Sequence, residues 1–220
     1  MNILKIKNET IVAIFAHPDD EAFGPAGTIA KLAQKNNVYL LCATKGEAGG
    51  KHKDLAKIRE NEVRKSAKIL GVKKVFFLGF IDGTLSNSLY HKLAQKIEAK
   101  LKVLKPTIFI TFEPKGISGH IDHIVVSLVA TYVFYRMPQA KKILYNCISQ
   151  QSRRQMGDYF IYFPPGYKKN EIDLSVDIKR FWQTKVSAMM AHKSQIADAR
   201  RILKNLQKLP KEEYFQILEK

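Results

Sequence analysis

Residues 11–21 read IVAIFAHPDDE, and the change of character inside that stretch decides the fold. Ile11 to Phe15 are apolar and mostly β-branched or aromatic, the composition of a short strand buried on both faces, as in a parallel sheet. Immediately after them His17, Asp19, Asp20 and Glu21 place one imidazole and three carboxylates within five positions. A core would not tolerate that cluster unpaired, so it belongs beyond the strand's carboxyl end, where an open α/β sheet forms its crevice.

The same alternation runs outward along the chain. Residues 38–43, 75–78 and 107–111 are further short apolar runs bounded by turn residues and read as strands. Residues 22–34, 54–70 and 89–104 carry apolar positions at helical spacing, with Asp54 as a candidate N-cap and Gly71 where a helix would stop. Strand and helix in alternation predict an α/β fold, a Rossmann-like three-layer sandwich with a mainly parallel sheet. A helix over 121–136 is cut off before Pro138. Beyond it, 143–148, 159–163 and 172–178 read as strands, with Pro164-Pro165-Gly166 as a turn, and 181–192 and 195–206 as helices. No stretch reads as a linker between two cores, so residues 1–220 are expected to form one domain.

Composition narrows the class. Apolar residues make up 45% and aromatic residues 10%, which a disordered chain would not show. No apolar run approaches the roughly 18–20 residues that cross a bilayer, and the start lacks a basic segment followed by an apolar one, so the expectation is a cytoplasmic protein. Cys42 and Cys147 lie in apolar segments without a CxxC pairing and read as buried, chemically quiet thiols. With 37 Lys plus Arg against 20 Asp plus Glu, the net charge is +17. Such a charge attracts nucleic acid, an anionic membrane or an anionic substrate without choosing among them. The basic residues are scattered and interleaved with acids, which reads as solvated helical faces rather than a nucleic-acid stripe.

A second polar cluster, GHIDH over 119–123, follows the fourth strand at the start of a helix, where residues three apart share a face. His120 and His123 can therefore look into the crevice that receives His17, Asp19 and Asp20. The combination suits a catalytic divalent metal with three protein ligands and an open position for water: His17, one Asp and one His. Neighbouring side chains diverge, so Asp19 and Asp20 divide into a ligand and a base. A His/carboxylate set without sulfur suits Zn2+, with Fe2+, cobalt or manganese also admissible. Other motifs weigh less. Residues 46–51 are glycine-rich but have the wrong spacing for a phosphate loop, and a bending active-site loop is the better reading. No GxGxxG opens the first helix. Glu21 reads as structural, His52 and His91 as surface residues, and His192 as either near the site or packing a helix end. Tyr132, Phe134, Tyr135, Phe181 and Trp182 read as core.

The segment from His17 to Glu21, together with His120 to His123, resembles the LmbE/PIG-L family of zinc-dependent N-deacetylases, whose members act on N-acetylglucosaminyl-phosphatidylinositol and on sugar precursors of mycothiol and bacillithiol. The resemblance extends over Thr44-Lys45-Gly46-Glu47, Arg59 with Glu62 and Leu70-Gly71, residues 78–83, and Val176-Asp177-Ile178 followed by Lys185, Ala188, His192, Ser194 and Gln195. It implies His17, Asp20 and His123 as metal ligands and Asp19 as the general base acting on the metal's water. It makes His120 a positively charged stabiliser of the oxyanion, and Asp122 the residue that orients or charges a nearby histidine. Arg59 and Asp82 match positions that contact the sugar. Many relatives have proline where this chain has Ile121, a difference of loop geometry rather than chemistry.

The activity so implied is metal-dependent hydrolysis of an amide: removal of an N-acetyl group from an amino-sugar-like, small-molecule substrate that the net charge would suit if anionic. A zinc amidase acting on a non-sugar substrate shares the same catalytic residues, and a basic nucleic-acid-binding protein without catalysis is the alternative from another class. Relatives form larger assemblies, so a homo-oligomer is admissible.

Overall fold

The computed structural model describes residues 6–157 and 161–220. Its strands are β1 (Thr10–Phe15), β2 (Asn37–Cys42), β3 (Lys74–Phe77), β4 (Ile108–Phe112), β5 (Lys142–Cys147), β6 (Leu174–Asp177) and β7 (Glu212–Glu219). All seven form one sheet in the order β3-β2-β1-β4-β5-β7-β6. The first five are parallel, and β7 pairs antiparallel with both β5 and β6. The helices are α1 (Asp20–Phe23), α2 (Ala26–Ala33), α3 (Leu55–Leu70), α4 (Tyr90–Leu104), α5 (Gly116–Gly119), α6 (Ile121–Arg136), α7 (Gln150–Arg153), α8 (Trp182–Ala191) and α9 (Ile196–Leu206). Helices α2, α3 and α8 pack together as one layer and α4 with α6 as the other.

β1 is the hinge of this topology. It pairs with β2 on one side and β4 on the other, so the chain reverses its direction of travel across the sheet there, and a crevice opens beyond the carboxyl ends of β1 and β4. Strand β1 is anchored by complete burial from Ile11 to Phe15, and Phe109 and Phe134 pack edge to face beneath it at 5.7 Å. Each such side chain contributes roughly 1.5–3 kcal/mol of burial. The crevice thus sits on a fully buried central strand.

Four expectations are corrected. The helix read over 22–34 is two, because Pro25 cannot continue α1, and the chain turns at Gly24, where a Cβ would lie 2.8 Å from Asn146 Oδ1. Asp54 precedes α3 but caps it through no side-chain hydrogen bond, whereas Gly71 ends it at φ 79°. Of the strand read over 159–163, residues 159–160 lie outside the described residues and 161–163 are not extended into a ladder. Tyr132 and Tyr135 are 51% and 60% exposed, on the outer face of α6, while Phe134 between them is fully buried. Strand β7 was not anticipated. Cys42 and Cys147 are buried free thiols. No helix among the described residues is long and apolar enough to cross a membrane.

Candidate active site

A cavity of about 420 Å³ opens at the switch point, lined among others by His17, Asp19, Asp20, Asp82, His120 and His123. His17 Nδ1 lies 3.2 Å from His123 Nε2, Asp20 Oδ1 lies 3.3 Å from that same Nε2, and Asp20 Oδ2 lies 3.7 Å from His17 Nδ1. Zinc bonds of about 2.0–2.1 Å in tetrahedral array hold ligand atoms roughly 3.3–3.4 Å apart, close to the spacing of the two imidazole nitrogens and of His123 Nε2 from Asp20 Oδ1, while Asp20 turns its other oxygen to His17. His120 is also within reach of the two other histidines, and His17 with Asp82 and Asp122 forms a second close group.

Each of these atoms is held by the fold. The His17 backbone N–H donates to Asp20 Oδ2 at 2.7 Å, fixing the turn after β1. His123 stacks on Phe112, the last residue of β4, with ring centroids 4.0 Å apart, and its Nδ1 lies 3.2 Å from the Gly116 carbonyl. A carbonyl only accepts, so Nδ1 carries the proton and Nε2 presents a lone pair to the cavity's centre. Burial, and then the neighbouring His17 and His120, hold the His123 pKa well below its ordinary value, which keeps that lone pair available. On the far side of His17, Nε2 faces Asp82 Oδ1 at 2.8 Å and Asp122 Oδ2 at 3.2 Å. Burial alone would lower the His17 pKa, yet Asp122, Asp82 and Asp20 push it up to about 10. This is the carboxylate–histidine pairing that orients metal-binding imidazoles.

Asp19 adopts φ 111°, a left-handed conformation that is strained for a residue with a side chain and typical of functional turns. Its carboxylate accepts from Arg59 Nη2 at 2.8 Å, while the same guanidinium donates to the Pro18 carbonyl at 2.5 Å and the Gly46 carbonyl at 2.7 Å. Burial raises the Asp19 carboxyl against the pull of Arg59, to about 7, and Asp20 is likewise raised to about 6. A carboxyl near 7 can accept and return a proton at neutral pH.

His120 caps α6: its Nδ1 accepts from the Asp122 backbone N–H at 3.1 Å, leaving Nε2 as the proton-bearing nitrogen. Burial, then the charge of His17, lowers its pKa, which favours the neutral imidazole over the charged form that the family resemblance implies. Asp122 accepts from the Gly83 and Leu85 backbone N–H groups at 2.8 and 3.1 Å, tying the loop after β3 to the start of α6.

Arg59 and Asp82, expected to touch substrate, have tasks within the protein. Both line the cavity, but Arg59 grips Asp19, and Asp82 supports His17 while its Oδ2 accepts from the Ala48 N–H at 3.0 Å. Beneath the cavity, Glu21 is fully buried: Ser66 Oγ donates to its Oε1 at 2.5 Å, His192 Nε2 lies 2.8 Å from the same oxygen, and its Oε2 accepts from the Asp19 N–H at 3.1 Å. His192 thus packs under the site and holds the acid that holds the Asp19 backbone. Its partner segment is pinned as well, Ser194 donating to Glu62 through backbone and hydroxyl. His52 and His91 are exposed. Sequence reasoning missed one wall of the cavity, where Asp198, Arg201, Ile202 and Asn205 line it at one-face spacing on α9. That amphipathic spacing was the available signal.

Comparison with known proteins follows the same lines. Residues 12–134 match the family model described as PIG-L, GlcNAc-PI de-N-acetylase. The chain is 29% identical, over 87% of its length and 84% of the relative's, to a probable N-acetyl-α-D-glucosaminyl L-malate deacetylase 2 of Bacillus anthracis. It is 28% identical, over 84% of its length and 74% of the relative's, to the 1D-myo-inositol 2-acetamido-2-deoxy-α-D-glucopyranoside deacetylase of Corynebacterium glutamicum. In structure it resembles the N,N'-diacetylchitobiose deacetylase of Pyrococcus horikoshii, with TM-score 0.75 at 21% identity over 99% of this chain and 89% of that one. It resembles GalB, a 4-carboxy-2-hydroxymuconate hydratase, with TM-score 0.70 at 16% identity over 96% of this chain and 97% of that one, so the fold by itself does not select the reaction.

Proposed function

We infer that this chain, which belongs to the PIG-L family of GlcNAc-PI de-N-acetylases, is a zinc-dependent hydrolase that removes the N-acetyl group from an N-acetylglucosamine-type small molecule. We read residues 1–220 as one catalytic domain working in the cytoplasm. The observation that carries this reading is the gathering of His17, Asp20 and His123 in one cavity with Asp19: the two imidazole nitrogens lie 3.2 Å apart, and Asp20 sets Oδ1 3.3 Å from His123 Nε2 and Oδ2 3.7 Å from His17 Nδ1. When bound to those three residues, the metal supplies a Lewis acid for the amide carbonyl and a water acidic enough to act near neutral pH.

The protein's own groups supply the rest. Asp19, held by Arg59 and Glu21, takes the proton from the attacking water, and its carboxyl near 7 can pass it on to the departing amine nitrogen. His120, neutral and bearing its proton on Nε2, donates a hydrogen bond to the carbonyl oxygen as negative charge grows there, a task worth two to three powers of ten for a well-placed donor. Asp82 and Asp122 keep the Nε2 proton of His17 engaged, so that Nδ1 faces His123 and Asp20. Acetate leaves and a free amine remains.

The test is an assay of free amine from a panel of N-acetylglucosamine glycosides, using protein loaded with Zn2+ and protein treated with a chelator. Amine release by the loaded protein that the chelator abolishes is the expected result. Silence across the panel with stoichiometric metal bound overturns the reading.

A further inference from the structure

The surface changes composition around the mouth of the cavity. Ile81 (63% exposed) stands beside Asp82 on the loop after β3, Ile121 (61%) beside His120 at the start of α6, and Ile161 (107%) and Tyr162 (64%) just before the cavity-lining Phe163. These segments adjoin one another: the Gly83 N–H donates to Asp122 Oδ2 at 2.8 Å, and a Cβ on Gly119 would lie 2.3 Å from the Tyr162 carbonyl oxygen. Single exposed apolar side chains are ordinary, but four gathered at one rim form a patch that marks an interaction surface.

The loops at this end of the sheet also carry exposed bases. Lys51 and Lys53 follow the cavity-lining Ala48 and Gly49, Lys115 precedes Ile117, and Arg154 precedes Met156. A second copy of the chain would bring +17 against +17, and duplex nucleic acid would meet the bases but leave the isoleucines without an apolar partner. A bilayer with anionic headgroups satisfies both halves of the surface, taking the apolar side chains below its phosphates and the long basic ones alongside them.

We propose that the rim of the cavity docks on an anionic lipid bilayer, Ile81, Ile121, Ile161 and Tyr162 entering the interface while Lys51, Lys53, Lys115 and Arg154 meet the headgroup phosphates. The docking stands apart from the amide chemistry, because its readout is binding alone.

The full chain is sedimented with vesicles containing about one-third phosphatidylglycerol and, separately, with pure phosphatidylcholine. Binding to the anionic vesicles is expected to be tighter by about a hundredfold. The triple variant Ile81→Ser, Ile161→Ser, Tyr162→Ser is expected to lose about tenfold or more of it while keeping its circular dichroism spectrum. Should that variant fail to fold, Tyr162→Trp in a Trp182→Phe background replaces it, with fluorescence quenching by brominated lipid as the expected signal. Binding to neither vesicle, binding that the serine substitutions leave intact, an indole that brominated lipid does not quench, or tighter binding to duplex DNA than to vesicles each overturns the proposal. So does a dimer that the serine substitutions dissolve.

Discussion

The two halves of the sheet divide the labour unequally. Strands β1 to β5 and their loops supply the proposed ligands His17, Asp20 and His123, the proposed base Asp19 and His120, all from two strand ends beside the switch point. The part after β5, with antiparallel β6 and β7 and helices α7 to α9, supplies none of those groups. It supplies contacts one layer further out and part of the cavity wall: His192 beneath Glu21, Ser194 on Glu62, Lys185 on Glu213, and the α9 face. The proposed chemistry therefore sits where topology makes a crevice, with its nearest supports, Arg59, Asp82 and Asp122, from the same region, while the irregular region adds a deeper layer of support and one wall of the cavity. Mutation should separate the two.

The largest effects are expected in the first region. His123→Ala and Asp20→Ala should each remove bound metal, read by elemental analysis, together with all measurable turnover. Asp19→Ala should keep the metal and lower kcat by about two to four powers of ten, the usual worth of a positioned base. A variant that loses metal and kcat together at Asp19 would make that residue a ligand instead. In the metal-free chain the His17 pKa near 10 means that Nδ1 carries a proton at neutral pH, directed at His123 Nε2. The metal must displace that proton. Apparent metal affinity should rise by about tenfold per pH unit between about pH 7 and 9, measured by chelator competition, because the group is protonated below its raised pKa and the competition fades only as pH approaches it. A flat profile would show that His17 binds no metal through that nitrogen.

The next effects test whether the second region holds the first. His192 and Glu21 are both fully buried, and His192→Ala leaves a buried carboxylate without its cation, at a cost of about 3–5 kcal/mol. A melting temperature lower by about 10 °C or more is expected. Because Glu21 also accepts the Asp19 backbone N–H, kcat should fall at temperatures where the variant is still folded. Loss of stability with unchanged kcat would confine the pair to packing. Lys185→Met is a purer test of support: its ammonium joins Glu213 on β7 to the Gly24 carbonyl, and Glu213 in turn accepts the Gly27 and Thr28 N–H groups at the start of α2. It should cost about 3 kcal/mol or somewhat less, since those two donors still partner the carboxylate, and should leave kcat nearly unchanged.

The same division governs what could be read in the sequence. β1 and β4 are visible because strands buried on both faces are continuous apolar runs, and the polar residues that interrupt them at His17 and His120 have only the crevice to occupy. β7 escaped because its buried face carries Glu213 beside Phe215, so an acid stands where the alternation calls for an apolar residue, and its partner Lys185 lies 28 positions away. Arg59 and Asp82 could be matched to positions but not to tasks: that one grips Asp19 and the other His17 depends on contacts 40 and 65 residues apart in the chain. The stripe of α6 that ends at Tyr135 read as core for a related reason. Its apolar residues surround the helix, and spacing cannot distinguish the face that meets the sheet.

The smallest effect concerns the α9 wall. Asp198, Arg201, Ile202 and Asn205 face the cavity, and Arg201 Nη2 pairs with Asp198 Oδ1 at 2.7 Å, which fixes part of that face before any substrate arrives. They lie on α9, far along the chain from the residues proposed to react, and so are placed to distinguish substrates by what lies beyond the acetamido group. Ile202→Ala removes apolar surface from the wall and leaves the reacting end untouched. It should raise KM by about tenfold, the scale of a few methylenes in an apolar pocket, with kcat within about a factor of two. The ratio of kcat/KM between glycosides with apolar and polar aglycones should move toward the polar ones. If kcat falls with KM constant, the wall acts on the reacting groups, and the separation between a catalytic half and a selective half fails at its weakest point.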